Sequence, residues 1–247
     1  TAGSVKIDGS NLGSALAGTT PVLKLSANTT SGFSIGTYTG NSSSPVTIAH
    51  GLSQAPELLI VKCYDGLTFD WTVGSASMDN WTDYMHLNTN AAAVDDIDFW
   101  RDTVPSASVF TIGSNGNVNY SGDDFIFYAW HSVEGYSKVG SYSGNGNVDG
   151  PFVYTGFKPK FVIVKNSNLA DDWEIYDGTF NPYNYLDLGL KPNTNGAEYA
   201  LNSGSRAWDF VSNGFKVRGS NGGINQSGDP LIYIAFAESP FKTSNAR

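Results

Sequence analysis

The side chains of this 247-residue chain that could do acid–base, nucleophilic or metal chemistry are few: three histidines, one cysteine and scattered aspartates. The densest acidic run is Asp95-Asp96-Ile97-Asp98, with smaller pairs at Asp123-Asp124 and Asp171-Asp172. Calcium takes carboxylate and carbonyl oxygens, so such loops suit it chemically, but the spacing is not that of an EF-hand and no Gly-Asp nonapeptide recurs. His50, His86 and His131 lack partners at metal-ligand spacing. Cys63 is the sole cysteine, which rules out an internal disulfide or a cysteine-held zinc, and its run Leu58 to Tyr64 reads as a strand that would bury it. No nucleophile elbow, phosphate loop, dinucleotide fingerprint or zinc-protease motif occurs. A glycosidase needs two carboxylates about 5 to 10 Å apart, a condition that leaves no trace in sequence, and nothing here supports one. No catalytic residue, metal site or cofactor is expected, and the chain reads as a non-enzyme.

Binding chemistry is better represented. Trp81, Tyr183 and Tyr185 stand among Asn and Asp rather than in apolar strands. Aromatic rings beside short polar side chains suit sugars, the ring stacking on the apolar face while Asn and Asp bond the hydroxyls. These three are the candidate carbohydrate-binding residues. Trp100 and Trp208 share such surroundings but adjoin Phe99 and Phe210, which favours core anchors for both. Asn-x-Ser/Thr sequons at Asn28, Asn41, Asn80, Asn119 and Asn225 are expected by composition alone in so Asn-, Ser- and Thr-rich a chain.

The elements that must position these residues are strands. Aromatics make up 13% and charged residues 15%, with 28 Gly, a balance that suits short strands joined by many tight turns around an ample core. A formal charge of −9 repels phosphates and anionic surfaces, so nucleic acid is not an expected partner. Apolar runs such as Leu58–Val61 and Phe125–Trp130 fall far short of the ~20 residues of a membrane-spanning helix. No membrane insertion and no signal peptide are expected.

An internal repeat sets the organisation. Gly32-Phe33-Ser34-Ile35-Gly36-Thr37-Tyr38-Thr39-Gly40-Asn41 recurs, with one inserted residue, as Gly135 to Asn145. Four more blocks follow in order at offsets of about 102 to 106 positions: Gly51–Lys62 with Gly156–Lys165, Asp70–Val73 with Asp172–Ile175, Phe110–Asn119 with Phe215–Asn225, and Gly122–Trp130 with Gly228–Phe236. Pro56 and Pro159 precede apolar runs that read as strands buried on both faces. Asn115-Gly116 and Asn221-Gly222 read as hairpin turns; no segment shows a sustained helical period, though Ala91–Trp100 could supply a turn or two of helix. Trp71 and Trp173 are expected at equivalent core positions.

The expected fold is therefore all-β: two tandem, jelly-roll-like β-sandwich domains, residues 32–134 and 135–247, arising by duplication. Residues 1–31, too poor in apolar side chains to hold a core, are expected to form an N-terminal arm or leader.

With the repeat laid out, the chain resembles an uncharacterised domain that recurs in tail-fibre-like and other structural proteins of marine phages. The residues that carry the resemblance include Gly32–Ile35 through Tyr38–Asn41, His50-Gly51-Leu52, Trp130–Lys138, Asp149–Val153 and Ala235–Lys242 with Ser244–Arg247, so it covers about residues 30 to 247. The resemblance implies a virion structural protein of the phage exterior: a tail fibre or tail accessory subunit, or alternatively a capsid decoration protein. It implies homo-oligomers and other virion proteins as partners, with host surface glycan as a further partner, and supplies no catalytic residue. A polysaccharide-depolymerising appendage enzyme is the alternative from another class.

Overall fold

The computed structural model describes residues 4–14, 16, 18–201 and 204–241. Its contacts divide into two units, one holding the chain up to His86 with Val94–His131, the other Leu87–Ala93 with the chain from Ser132 onward.

The first unit contains β1 (Ser4–Ile7), β2 (Ser10–Asn11), β3 (Lys24–Asn28), β4 (Phe33–Thr39), β5 (Val46–Ala49), β6 (Leu58–Asp65), β7 (Thr72–Ser75), β8 (Asp83–His86), β9 (Val94–Asp95), β10 (Val109–Ile112) and β11 (Asp124–Trp130), with single helical turns α1 (Ile97–Trp100) and α2 (Gly116–Asn119). Nine of these strands form one sheet in the order β2-β1-β3-β4-β11-β6-β7-β8-β9, and β10 pairs with β5 in a second. Strict alternation in β4 and β11 turns Tyr38, Phe125 and Phe127 inward, where they meet Val46, Ile48, Phe110 and Ile112 of the smaller sheet. Phe110 meets Phe127 edge-on at 5.2 Å.

The second unit contains β12 (Ser137–Ser143), β13 (Phe152–Tyr154), β14 (Pro159–Asn166), β15 (Glu174–Asp177), β16 (Leu188–Gly189), β17 (Tyr199–Ala200), β18 (Trp208–Val211), β19 (Gly214–Val217) and β20 (Pro230–Ala237), with the turn α3 (Gly222–Asn225). The sheet β12-β20-β14-β15 faces β13-β19-β18 across a core of Val162, Val164, Tyr176, Trp208, Phe215, Leu231 and Tyr233. Trp208 lies between Tyr176 and Phe215, stacked on them at 4.3 and 4.4 Å. Both units are thus all-β and sandwich-like. Within its own sheet each has one neighbour order, β4-β11-β6-β7 in the first and β12-β20-β14-β15 in the second, so sequence blocks that match take matching places.

Three expectations are corrected. The described residues before 32 do not stand apart as an arm: β1 runs parallel to β3, β3 is antiparallel to β4, and Val5, Val22, Leu25 and Ala27 join the core. The alternation Lys24-Leu25-Ser26-Ala27-Asn28, exposed and buried by turns, is a half-buried strand written in small residues. Asn115-Gly116 and Asn221-Gly222 are not hairpin turns but helix starts, each Asn side chain accepting the backbone N–H two residues on, from Asn117 at 3.0 Å and Gly223 at 2.9 Å. Trp71 and Trp173 both directly precede a strand, yet Trp71 is half-buried against Tyr128 whereas Trp173 is buried. The turn of helix expected within Ala91–Trp100 is α1, which the Asp96 side chain caps by accepting the Asp98 N–H.

Candidate binding surface

Between β15 and β16 the chain runs through Gly178-Thr179-Phe180-Asn181-Pro182-Tyr183-Asn184-Tyr185-Leu186-Asp187, and two asparagines fix its path. Asn181 is buried. Its Oδ1 accepts the N–H groups of Asp187 and Leu188, both at 2.8 Å, and its Nδ2 donates to the carbonyls of Asp177 and Leu188. All four hydrogen-bonding positions of the carboxamide are used, closing the base of the loop. Asn184 acts like a strand partner to the edge of β18: its Nδ2 donates to Phe210 O and its Oδ1 accepts Phe210 N–H, each at 2.9 Å. Leu186 follows with a backbone bond to Trp208 O and a side chain sunk in the core.

These anchors leave the intervening aromatics in solvent. Tyr183 is 82% exposed, Phe180 53% and Tyr185 46%. A concavity of about 480 Å³ opens along the loop between Phe180 and Leu188. A second, of about 380 Å³, lies where Tyr185 faces Asp209 and Arg218. Both volumes fall within the range of small-ligand sites. Exposed rings on a loop that hydrogen bonds already hold form a preorganised stacking platform, since little freedom remains to be lost on contact.

Trp81, the third candidate, does not join this surface. It is 1% exposed, belongs to the first unit's core and meets Trp100 edge-on at 6.0 Å. Asp79, Asn80 and Trp81 all have positive φ (38°, 56° and 76°), a tight turn that tucks the indole inward while its polar neighbours stay outside. The polar surroundings that mark Trp81 in sequence are those of the turn. Trp100 and Trp208 are buried core anchors.

The histidines and the cysteine have structural partners. His50 is fully buried, its Nδ1 accepting Leu52 N–H at 3.2 Å and its Nε2 facing Ser106 O at 3.1 Å, an arrangement that fits the neutral ring with its proton on Nε2. Burial accordingly holds its pKa below the ordinary histidine value. His86 lies 3.8 Å from Asp70, and burial outweighs that carboxylate in lowering its pKa. Burial, then Asp123, pushes the Cys63 thiol up, the direction of an unreactive cysteine. Among the described residues no group of three His, Cys, Asp or Glu side chains is placed to hold a metal.

One polar cluster went unread in the sequence. Glu174, fully buried at the start of β15, receives the Tyr199 hydroxyl on Oε2 and Arg206 Nη1 on Oε1. Arg206 also reaches Asp171 at 3.2 Å, while Lys191 bonds Asp172 at 2.7 Å and lies over the Tyr199 ring. Burial raises the Glu174 pKa to about 7 against the pull of Arg206 and Lys191. Burial likewise lowers that of Lys165, whose Nζ donates to the carbonyls of Asn166 and Leu169, to about 8. A carboxyl group poised near neutrality is what an acid catalyst uses, but this one is enclosed and saturated by its own chain. Its bonds tie β15 to β17 and to the segment before β18. The available sequence signal was Glu174 itself, a charged residue facing the core where the first repeat has Thr72.

Fold and surface together define an all-β protein with two sandwich-like units and an aromatic loop on the second. Residues 9–240 match the domain of unknown function DUF7483, and the chain belongs to that family. No curated protein and no solved structure matches it.

Proposed function

We propose that this chain is a non-enzymatic structural protein of a phage exterior, a tail fibre or tail accessory subunit, whose second unit contacts host surface glycan through Tyr183 and Tyr185. The observation that carries the reading is the pairing of exposed rings with a loop fixed by Asn181 and Asn184. Core packing does not need these rings, and a solvent-facing tyrosine at 82% exposure is well placed to stack on a sugar. The resemblance to phage structural domains supports the virion setting, and the matching strand orders of the two units support descent from one duplicated domain.

A shallow site of this kind binds weakly, at about millimolar Kd or roughly 4 kcal/mol, so attachment requires several sites acting together. The proposal therefore includes assembly with copies of itself and with other virion proteins. The net charge of −9 favours neutral over anionic glycans.

The test is glycan-array binding by a multivalent form of the protein. Binding lost in Tyr183→Ala/Tyr185→Ala with an unchanged melting temperature supports the reading, and absence of binding to any glycan overturns it. Copy number per particle separates the fibre, present in few copies, from a capsid decoration protein present in hundreds. Release of reducing ends from host polysaccharide by the purified chain would establish the depolymerase instead.

A further inference from the structure

We infer that the hollow between Tyr185 and the Asp209–Arg218 pair is the subsite that selects the glycan, and that it takes a neutral sugar ring with vicinal hydroxyls. The inference rests on the reading of the Tyr183–Tyr185 loop as a glycan contact and specifies which side of the loop the sugar occupies.

The hollow is lined by Val148, Tyr185, Gly204, Ala207, Asp209 and Arg218. Gly204 brings backbone to its lining. Gly204 and Gly219 form a parallel bridge, and a Cβ on Gly219 would lie 1.8 Å from the Ser205 carbonyl oxygen, so the two segments meet only because glycine stands there. One wall is the half-exposed Tyr185 ring. The other is the Asp209–Arg218 pair, from which an ordered row of charges continues outside the lining. Arg218 Nε donates to Asp209 Oδ2 at 2.6 Å, Arg218 Nη1 lies 3.7 Å from Asp149 Oδ1, and Lys216 Nζ lies 2.8 Å from that same oxygen. Two acids and two bases alternate, and their charges cancel.

That neutrality decides the ligand class. An anionic sugar would find Arg218 already neutralised and two carboxylates close by, so it gains little attraction and meets repulsion. A neutral ring meets a fixed donor and acceptor side by side. Among the described residues Asp209 Oδ1 and Arg218 Nη2 take no partner, leaving one oxygen to accept from a sugar hydroxyl and one nitrogen to donate to its neighbour. The Asp209 carboxylate is only 15% exposed, so Arg218 and the strand hold it in place before any ligand arrives. Tyr185 then covers the apolar face of the ring. Tyr183 lines the other hollow and serves as an outer contact.

The experiment is saturation-transfer NMR on the full chain with methyl glycosides of mannose, glucose and galactose, and with N-acetylneuraminic acid as the anionic comparison. At least one neutral glycoside should show transfer and the anionic sugar none. Asp209→Asn should weaken that binding tenfold or more, and Tyr183→Ala by less than twofold. Because Asp209→Asn also removes an ion pair, Val148→Trp at the exposed rim provides a second variant, expected to fold normally and to block the same probes. Binding that survives both Asp209→Asn and Val148→Trp but is lost in Tyr183→Ala would place the sugar in the other hollow, overturning this inference and leaving the glycan reading intact. Preference for N-acetylneuraminic acid would overturn the ligand class. No binding of any probe at tens of millimolar would overturn both readings.

Discussion

Asn119 does in the first unit what Asn225 does in the second. Each is fully buried on the last residue of a one-turn helix. Asn119 Oδ1 accepts the Asn41 N–H at 2.9 Å and its Nδ2 donates to Ser43 O and Gly113 O; Asn225 Oδ1 accepts the Asn145 N–H at 2.7 Å and its Nδ2 donates to Asn147 O and Gly219 O. One carboxamide thus joins the turn after β4 or β12 to the residues just before α2 or α3, and a tyrosine beside it repeats the link: Tyr38 hydroxyl to Val118 O, Tyr142 hydroxyl to Ile224 O. Removing it leaves a buried N–H and two carbonyls unsatisfied, so Asn119→Ala and Asn225→Ala are each expected to cost about 3 kcal/mol. Urea denaturation with fluorescence detection measures this, and a loss below about 0.5 kcal/mol would show that water replaces the side chain. The same burial should keep both sequons unmodified in a glycosylating host.

Those asparagines also mark where sequence reading succeeds and where it stops. Repeat blocks, central strands and the all-β class are legible because alternation and apolar runs report burial directly, as in Phe125–Trp130. Turn chemistry is less legible. Asn followed by Gly suits a hairpin and a helix start equally, and the choice between them at Asn115 is made by Asp98, whose carbonyl accepts the Asn115 N–H from a distant segment. Trp81 misleads for a related reason, since its polar neighbours serve the turn rather than the ring. Tyr183 and Tyr185 read correctly as lying outside the core, but Asn181 and Asn184, which fix them, bond to groups that only the folded chain brings near. Asp209 on β18 and Arg218, nine positions on and just past the end of β19, carry no motif.

The contrast between Trp81 and Tyr183 gives a second prediction. Trp81→Ala opens a cavity beside Trp100 and should lower stability by about 3 to 5 kcal/mol. Tyr183→Ala removes a solvated ring and should stay within about 0.5 kcal/mol of the parent. Thermal melts of both decide, and a neutral Trp81→Ala would contradict its place in the core.

A third prediction follows from the first strands. Deleting residues 1–28 strips Val5, Val22, Leu25 and Ala27 from the core and bares the edge of β4. At about 1.5 to 3 kcal/mol per large buried side chain this exceeds what a marginally stable domain tolerates. The truncated protein should lose its cooperative melt or aggregate through the freed edge. A soluble product with the parent's near-ultraviolet circular dichroism would show the segment to be dispensable.

The last prediction uses Glu174. Burial raises its pKa to about 7 in the folded chain, from about 4.5 for the unfolded one, so between these values the folded state binds the extra proton. The protonated carboxyl contributes stability that is fully present below about pH 4.5 and is lost as pH rises through 7. A shift of this size corresponds to about 3 kcal/mol, at 1.36 kcal/mol per pH unit. Groups facing it from the packed segments are Arg206, Lys191, Asp171, Asp172 and Tyr199, of which Asp172, bonded to Lys191 and Asn193, has a lowered pKa despite burial. His50 and His86 act in the opposite sense, because their lowered pKa values make the folded state the poorer proton binder near pH 6. The raw stability profile therefore mixes both signs, and the informative quantity is the difference between the parent and Glu174→Gln, in which the histidines cancel. Glu174→Gln keeps the shape and an acceptor for Tyr199 but never ionises. The parent should lose stability relative to it from pH 5 to pH 7 and level off above that, read from denaturant midpoints at fixed ionic strength. A flat difference over this range would mean that Arg206 keeps Glu174 ionised throughout, so that the ion pair outweighs burial and the cluster is a permanent ion pair.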